Sequence, residues 1–145
     1  MIAVQYPQPD FRIKKENGKD LIFDALRKKW LVLTPEEWIR QNFVQYLLQV
    51  KNYASSLIAV EKEIKLGELK KRFDILVYNN NHQPWMMIEC KAAEIKLDKK
   101  VLEQILRYNI GLPVEYMVIT NGEMTYAWQR KKNSLDLIDE IPYQI

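Results

Sequence analysis

Two periodicities divide this chain. Between residues 72 and 92 the apolar residues come in unbroken or alternating runs, R-F-D-I-L-V-Y and then W-M-M-I-E-C-K-A, which predicts two strands. Over residues 35–50, and again over Lys99–Asn109, apolar positions recur every three or four residues, which predicts amphipathic helices. Thr34 suits an N-cap, Pro35 the first helical position and Glu37 the far member of a capping box, so the first helix should open there. Its stripe is expected to be Ile39, Phe43, Tyr46, Leu47 and Val50. Asp98 should cap the second helix, with Gly111 and Pro113 closing it. Asn17-Gly18 lies between two partly alternating segments and predicts a hairpin, because both residues accept positive φ. Residues 57–66 read as a strand, and residues 116–120 and 124–130 as a last hairpin around Asn121-Gly122. Residues 1–10 read as an irregular arm and residues 133–145 as a tail without assigned function. The order helix, three strands, helix, strand, strand implies one α/β domain over residues 1–145. Its central mixed sheet should be flanked by helices, with a β-hairpin at the N-terminus.

The two adjacent apolar strands carry charges that core strands usually exclude. Alternation puts Arg72, Asp74, Leu76 and Tyr78 on one face, with Phe73, Ile75 and Val77 on the other. In the next strand Trp85, Met87, Glu89 and Lys91 share a face, opposite Met86, Ile88, Cys90 and Ala92. If the two strands pair as a hairpin, Asp74, Glu89 and Lys91 converge. Carboxylates and an ammonium in an apolar sheet are costly unless they pair or hold a cation. Asp74 and Glu89 offer hard oxygens for Mg²⁺ (Mn²⁺ could substitute), and the Cys90 carbonyl is the natural third ligand. Lys91 is then placed to orient the attacking water and stabilise the developing charge. The E-x-K pattern alone is weak, since Glu63-Lys65, Glu68-Lys70 and Glu94-Lys96 repeat it. Solvent-facing strands with surface ion pairs would show the same pattern.

Composition narrows the class. With 145 residues, 48% hydrophobic, 28% charged and a net charge of +3, the chain reads as a soluble globular protein that tolerates nucleic acid without demanding it. Cys90 is the single cysteine, so no internal disulfide can form and no cysteine-rich zinc site exists. A signal peptide and a membrane-spanning run are both absent from the sequence, so a cytoplasmic location is expected. His82 sits in an Asn-rich turn and reads as a surface residue. Trp85 and Trp128 could stack on bases, but packing in the core or on a sheet face is the favoured expectation, and Cys90 is expected to be an inert buried thiol. Glu36 lies on the helical stripe without the capping role open to Glu37. Gln104 and Tyr108 share one face of the second helix. Lys70, Lys71, Arg72, Lys99 and Lys100 flank the candidate site, where they could meet phosphates.

The runs I-F-D-A-L-R-K-K-W-L-V-L-T-P-E-E-W-I-R-Q, R-F-D-I-L-V-Y, I-E-C-K-A, E-Q-I-L-R-Y-N and V-I-T-N-G, in that order, resemble the N-terminal nuclease domain of type I restriction enzyme R subunits. These belong to the PD-(D/E)xK restriction-endonuclease-like superfamily, and the resemblance covers residues 11–130. It implies that Asp74 and Glu89 bind Mg²⁺ and that Lys91 is catalytic. It also puts Gln104 and Tyr108 on a Q-x-x-x-Y element that supports the site and DNA contacts, and makes Glu36 (or Glu37) the acid of the first helix. Phe73 stands where the superfamily pattern has Pro. There is no G-x-x-x-x-G-K-S/T loop, so no ATP-driven motor is expected here. The function implied is a stand-alone Mg²⁺-dependent DNA endonuclease, or a part recruited by other restriction-modification subunits. The alternative is a silent nuclease-like module that binds DNA or a partner protein.

Overall fold

The computed structural model describes residues 1–144, with the side chains of all but Leu66 and Leu69. The Asn17-Gly18 signal holds: β1 (Ile13–Glu16) and β2 (Lys19–Asp24) pair antiparallel, with Asn17 at φ 53 and Gly18 at φ 77. Two consecutive left-handed residues give the mirror-image turn whose twist matches the strands it joins. The hairpin grows by one strand, because β3 (Lys29–Val32) pairs antiparallel with β2. Thr34 caps α1 (Pro35–Gln49) by accepting the Glu37 N–H at 3.0 Å on its hydroxyl. The helix buries Ile39, Phe43, Val44, Tyr46 and Leu47, while Val50, expected on the stripe, is exposed at the C-cap.

A six-stranded sheet follows in the order β4-β5-β6-β7-β8-β9. Its strands are β4 (Ile58–Leu66), β5 (Leu69–Tyr78), β6 (Pro84–Cys90), β7 (Tyr116–Thr120), β8 (Thr125–Arg130) and β9 (Leu135–Ile138). Among the described residues only the β6–β7 pair is parallel, and the crossover between them carries α2 (Lys99–Asn109), capped by Asp98. A parallel pair needs such a crossover, which makes the sheet mixed as the element order implied. The two helices pack on opposite faces. On one, Ile39, Phe43, Tyr46 and Leu47 of α1 meet Ile75, Val77, Met86, Ile88 and Cys90. On the other, Leu106 of α2 meets Leu76, Met87 and Met117, and Val101, Leu102 and Ile105 meet Ile119 and Trp128.

The ends of the chain depart from expectation. The arm has no regular structure, yet Ile2 is buried and donates its N–H to the Thr125 carbonyl at 2.8 Å. The tail is not featureless: β9 lengthens the sheet against β8, and Ile141 is fully buried. L-D-L-I is short and only half buried, so its signal comes from the partner strand rather than from its own pattern. Trp85 and Trp128 are buried, as expected. Among the described residues no helix is long and apolar enough to cross a membrane.

Candidate active site

The β5–β6 register pairs Ile75 with Ile88, so one step further Asp74 stands opposite Glu89. There a side chain replaces the ladder bond: Asp74 Oδ2 accepts the Cys90 N–H at 2.8 Å. The next N–H, of Lys91, is held by the Thr120 carbonyl of β7 at 2.8 Å. Alternate backbone groups therefore point to β5 and β7. The Cys90 carbonyl, on the same side of the strand as its N–H, faces the Asp74 side. The Cys90 thiol lies in the core on the α1 face, where burial pushes its pKa well up and leaves it inert. Lys91 Nζ is 3.6 Å from Glu89 Oε1. Both line a cavity of about 460 Å³ with Arg72, Gln104 and Tyr108, so the residues expected from β6 and α2 do come together.

One expectation about faces fails. Phe73 packs with Leu76 and Met87 on the α2 side, and Asp74 reaches Arg40 of α1 instead of lying beside Leu76. The neighbouring strand is irregular at the same level of the sheet. Val60 pairs with Ile75 and Lys62 with Phe73, but Glu61, between them and opposite Asp74, has φ 51. A left-handed non-glycine residue inside a strand costs on the order of 1–3 kcal/mol. The register is the same on either side of it, so the kink adds no residue, and it stands level with the break in alternation at Asp74.

Arg40 is the site residue that the sequence reading missed. It is only 6% exposed. Its Nη1 donates to Glu37 Oε1 at 2.7 Å and Glu61 Oε1 at 3.2 Å; its Nη2 donates to Asp74 Oδ1 at 3.0 Å and Glu36 Oε1 at 3.3 Å. A signal existed, since Arg40 follows Ile39 on the buried stripe and stands three and four residues after two acids. Arg27 joins the network through Asp24 and Glu61, and Arg72 reaches Glu61 at 2.6 Å. Burial opposes ionisation of Glu61, but Arg27, Arg40 and Arg72 outweigh it and lower its pKa. Glu36 goes the other way, raised by burial and by the Asp74 charge. Glu37 is the more buried acid, locked against Arg40 and Gln41, so Glu36 is the first-helix acid that faces the site.

A family model for the N terminus of the type I restriction enzyme R protein matches residues 35–142. The chain belongs to that family. Comparison with curated proteins gives no match. The matched part of this restriction-enzyme domain begins at α1 and takes in β9 and Ile141, so the tail belongs to it, while the three-stranded sheet lies outside.

The flanking cations of the domain divide. Lys70, Lys99 and Lys100 are exposed, with Lys99 3.9 Å from Glu103. Arg72 is exposed and lines the cavity. Lys71 corrects the expectation of a free surface cation. It is buried, donates to the Tyr108 carbonyl and lies 3.5 Å from the centre of the Tyr108 ring. His82 is exposed in its turn, at φ 59.

The charge on Glu89 is unbalanced. Burial first, then the charges of Asp74 and Glu36, push its pKa up to about 7, and Lys91 offsets this only in part. The unfolded chain takes up that proton near the ordinary value of 4.5. Between these values the native state binds more protons than the unfolded one, so stability falls as pH rises, by about 3 kcal/mol in all. In EDTA, Glu89→Gln should therefore melt above wild type at about pH 8 and close to it at about pH 5. Equal melting temperatures at the higher pH would mean that Glu89 is solvated and unstrained. Among the described residues no three His, Cys, Asp or Glu side chains form a metal cage by themselves. Two carboxylates from neighbouring strands, one of them short of positive charge, nevertheless suit a hard divalent ion that keeps several waters.

Proposed function

We propose that this domain hydrolyses DNA phosphodiester bonds with the help of Mg²⁺, Mn²⁺ being a possible substitute. The observation that carries the reading is the convergence of Asp74 and Glu89 from paired strands, with Lys91 3.6 Å from Glu89 at the wall of an open cavity. Asp74, Glu89 and the Cys90 carbonyl would hold the ion. When bound, such an ion acidifies a water and neutralises charge on the phosphate. Asp74 can serve while Arg40 and the Cys90 N–H hold its two oxygens, because each carboxylate oxygen has a second lone pair. Lys91 orients the attacking water and stabilises charge growing on the phosphate oxygens. Gln104 and Tyr108 form the α2 wall of the site, and Glu36 adds negative charge from the α1 side. Arg72, Lys70, Lys99 and Lys100 surround the cavity with cations for the flanking phosphates. The reading places the domain in the cytoplasm, acting on DNA alone or beside other restriction-modification subunits.

A second reading, a silent module that binds DNA or a partner, is favoured by one observation. The buried guanidinium of Arg40 already supplies Asp74 with a positive charge. Supercoiled plasmid and single-stranded DNA, incubated with Mg²⁺ or Mn²⁺, separate the two. Cleavage that EDTA stops and Asp74→Asn abolishes is the expected result. Intact DNA from wild type on both substrates, with no metal uptake by calorimetry, would leave the silent module.

A further inference from the structure

The N-terminal sheet carries the charge that the rest of the chain lacks. Residues 11–32 hold seven Lys and Arg against three Asp and Glu, a net of +4, while the whole chain is +3. All of the positive excess lies here, outside the matched family region. The strand register sorts these charges by face. Lys14 stands opposite Leu21, Glu16 opposite Lys19 and Phe23 opposite Trp30, so all six share one face. The other face buries Ile22 and Asp24. On the open face the cations are ordered by the rings beneath them. The Arg12 guanidinium lies 4.8 Å from the centre of the Phe23 ring and 5.3 Å from that of Trp30, and Lys14 Nζ lies 4.3 Å from Trp30. Lys19 is exposed, and the acid of this face, Glu16, is matched by Lys14 at 3.2 Å.

The sheet is also tied to the site. Arg27, in the β2–β3 turn, donates to Glu61 Oε1 at 2.9 Å, the same oxygen that accepts from Arg40, and Arg40 holds Asp74. We propose that the face bearing Arg12, Lys14 and Lys19 is a second DNA contact, gripping the phosphate backbone of duplex DNA beside the site. This inference rests on DNA being the substrate in the reading above. Duplex is favoured over single strand because both rings are already covered by cations. A single-strand platform needs bare aromatic faces on which bases can stack. Ordered cations without base-reading groups grip phosphates and carry no sequence preference.

The test is fluorescence anisotropy of a labelled duplex and its single strand, in EDTA so that binding is read apart from cleavage. The expected result for Arg12→Glu/Lys14→Glu/Lys19→Glu is duplex affinity lower by on the order of 10- to 100-fold at low salt. The slope of log affinity against log salt should fall by about 2 to 3. The milder Arg12→Gln/Lys14→Gln/Lys19→Gln variant should lose affinity in the same direction with an unchanged circular dichroism spectrum. A control reversal of equal size at Lys62, Lys131 and Lys132 should have the smaller effect. Duplex affinity within twofold of wild type in both sheet variants would overturn the proposal. So would an equal loss in the control, tighter binding of the single strand, or no duplex binding by wild type. Duplex binding through this face without any cleavage would remove the nuclease reading and leave the contact standing.

Discussion

Lys91→Ala is expected to slow metal-dependent cleavage by about 10²–10³-fold while leaving the domain folded and its metal affinity equal or higher. The fold is indifferent to the ammonium, because the backbone of Lys91 is held by Thr120 and its side chain is 35% exposed. Removing a cation 3.6 Å from Glu89 leaves the carboxylate pair more negative, which favours a divalent ion. Without Lys91, the metal-free Glu89 should also keep its proton to still higher pH, since Lys91 is the charge that holds its pKa down. A residue that only neutralised Glu89 would show the reverse, with cleavage kept and the melting temperature lowered. Single-turnover cleavage rates set beside a calorimetric Mg²⁺ titration check the prediction. A rate within threefold of wild type, or a loss of metal binding, would take the catalytic role away from Lys91.

Arg40→Met should cost about 3–5 kcal/mol of stability, because it deletes the shared counter-ion of a buried set of carboxylates. Glu37 and Asp74 are both largely buried, and Glu61 partly so. Arg27 cannot take over, lying 3.4 Å from Glu37 while engaged with Asp24 and Glu61. Methionine nearly conserves the volume, so the loss reads out charge rather than a cavity. For a chain of this size the fall in melting temperature is on the order of 10 °C. Arg40→Met/Glu37→Leu should recover part of it, since the uncompensated acid goes too. Thermal and urea unfolding measure both variants. A fall below about 3 °C for the single variant would mean that water, not Arg40, balances these acids.

What could be read in advance was whatever local chemistry decides. Asn17-Gly18, Thr34 with Pro35, and Asp98 each specify a turn or a cap within four residues, and each stands where expected. The opposition of Asp74 and Glu89 was legible because the turn between their strands is short and both runs are strongly apolar. The misses were set by distant partners. Glu61 is an ordinary strand residue by type, and its left-handed φ appears only where it meets Arg27, Arg40 and Arg72. Arg40 needs Asp74, 34 residues away, to be recognised. Lys71 is a surface lysine by composition and is buried only because the end of α2 folds over it. β9 is a strand because β8 offers an edge.

The two walls of the cleft are anchored unequally. Asp74 and Glu89 belong to strands joined by a turn of five residues, Asn79 to Gln83, and closing a loop that short costs little chain entropy. The sheet wall is further fastened by the β7 pairing and by the eight residues that α1 buries. Among the described residues of helix α2, which brings Gln104 and Tyr108, Asn109 alone is buried, and the helix hangs on a long crossover. The sheet that carries both acids is therefore the stiff wall, with Glu89 on the cleft, and the Gln104–Tyr108 face is the compliant one. Shape changes in the cleft will be borne by the helix, while the distance between the two carboxylates stays set by the hairpin.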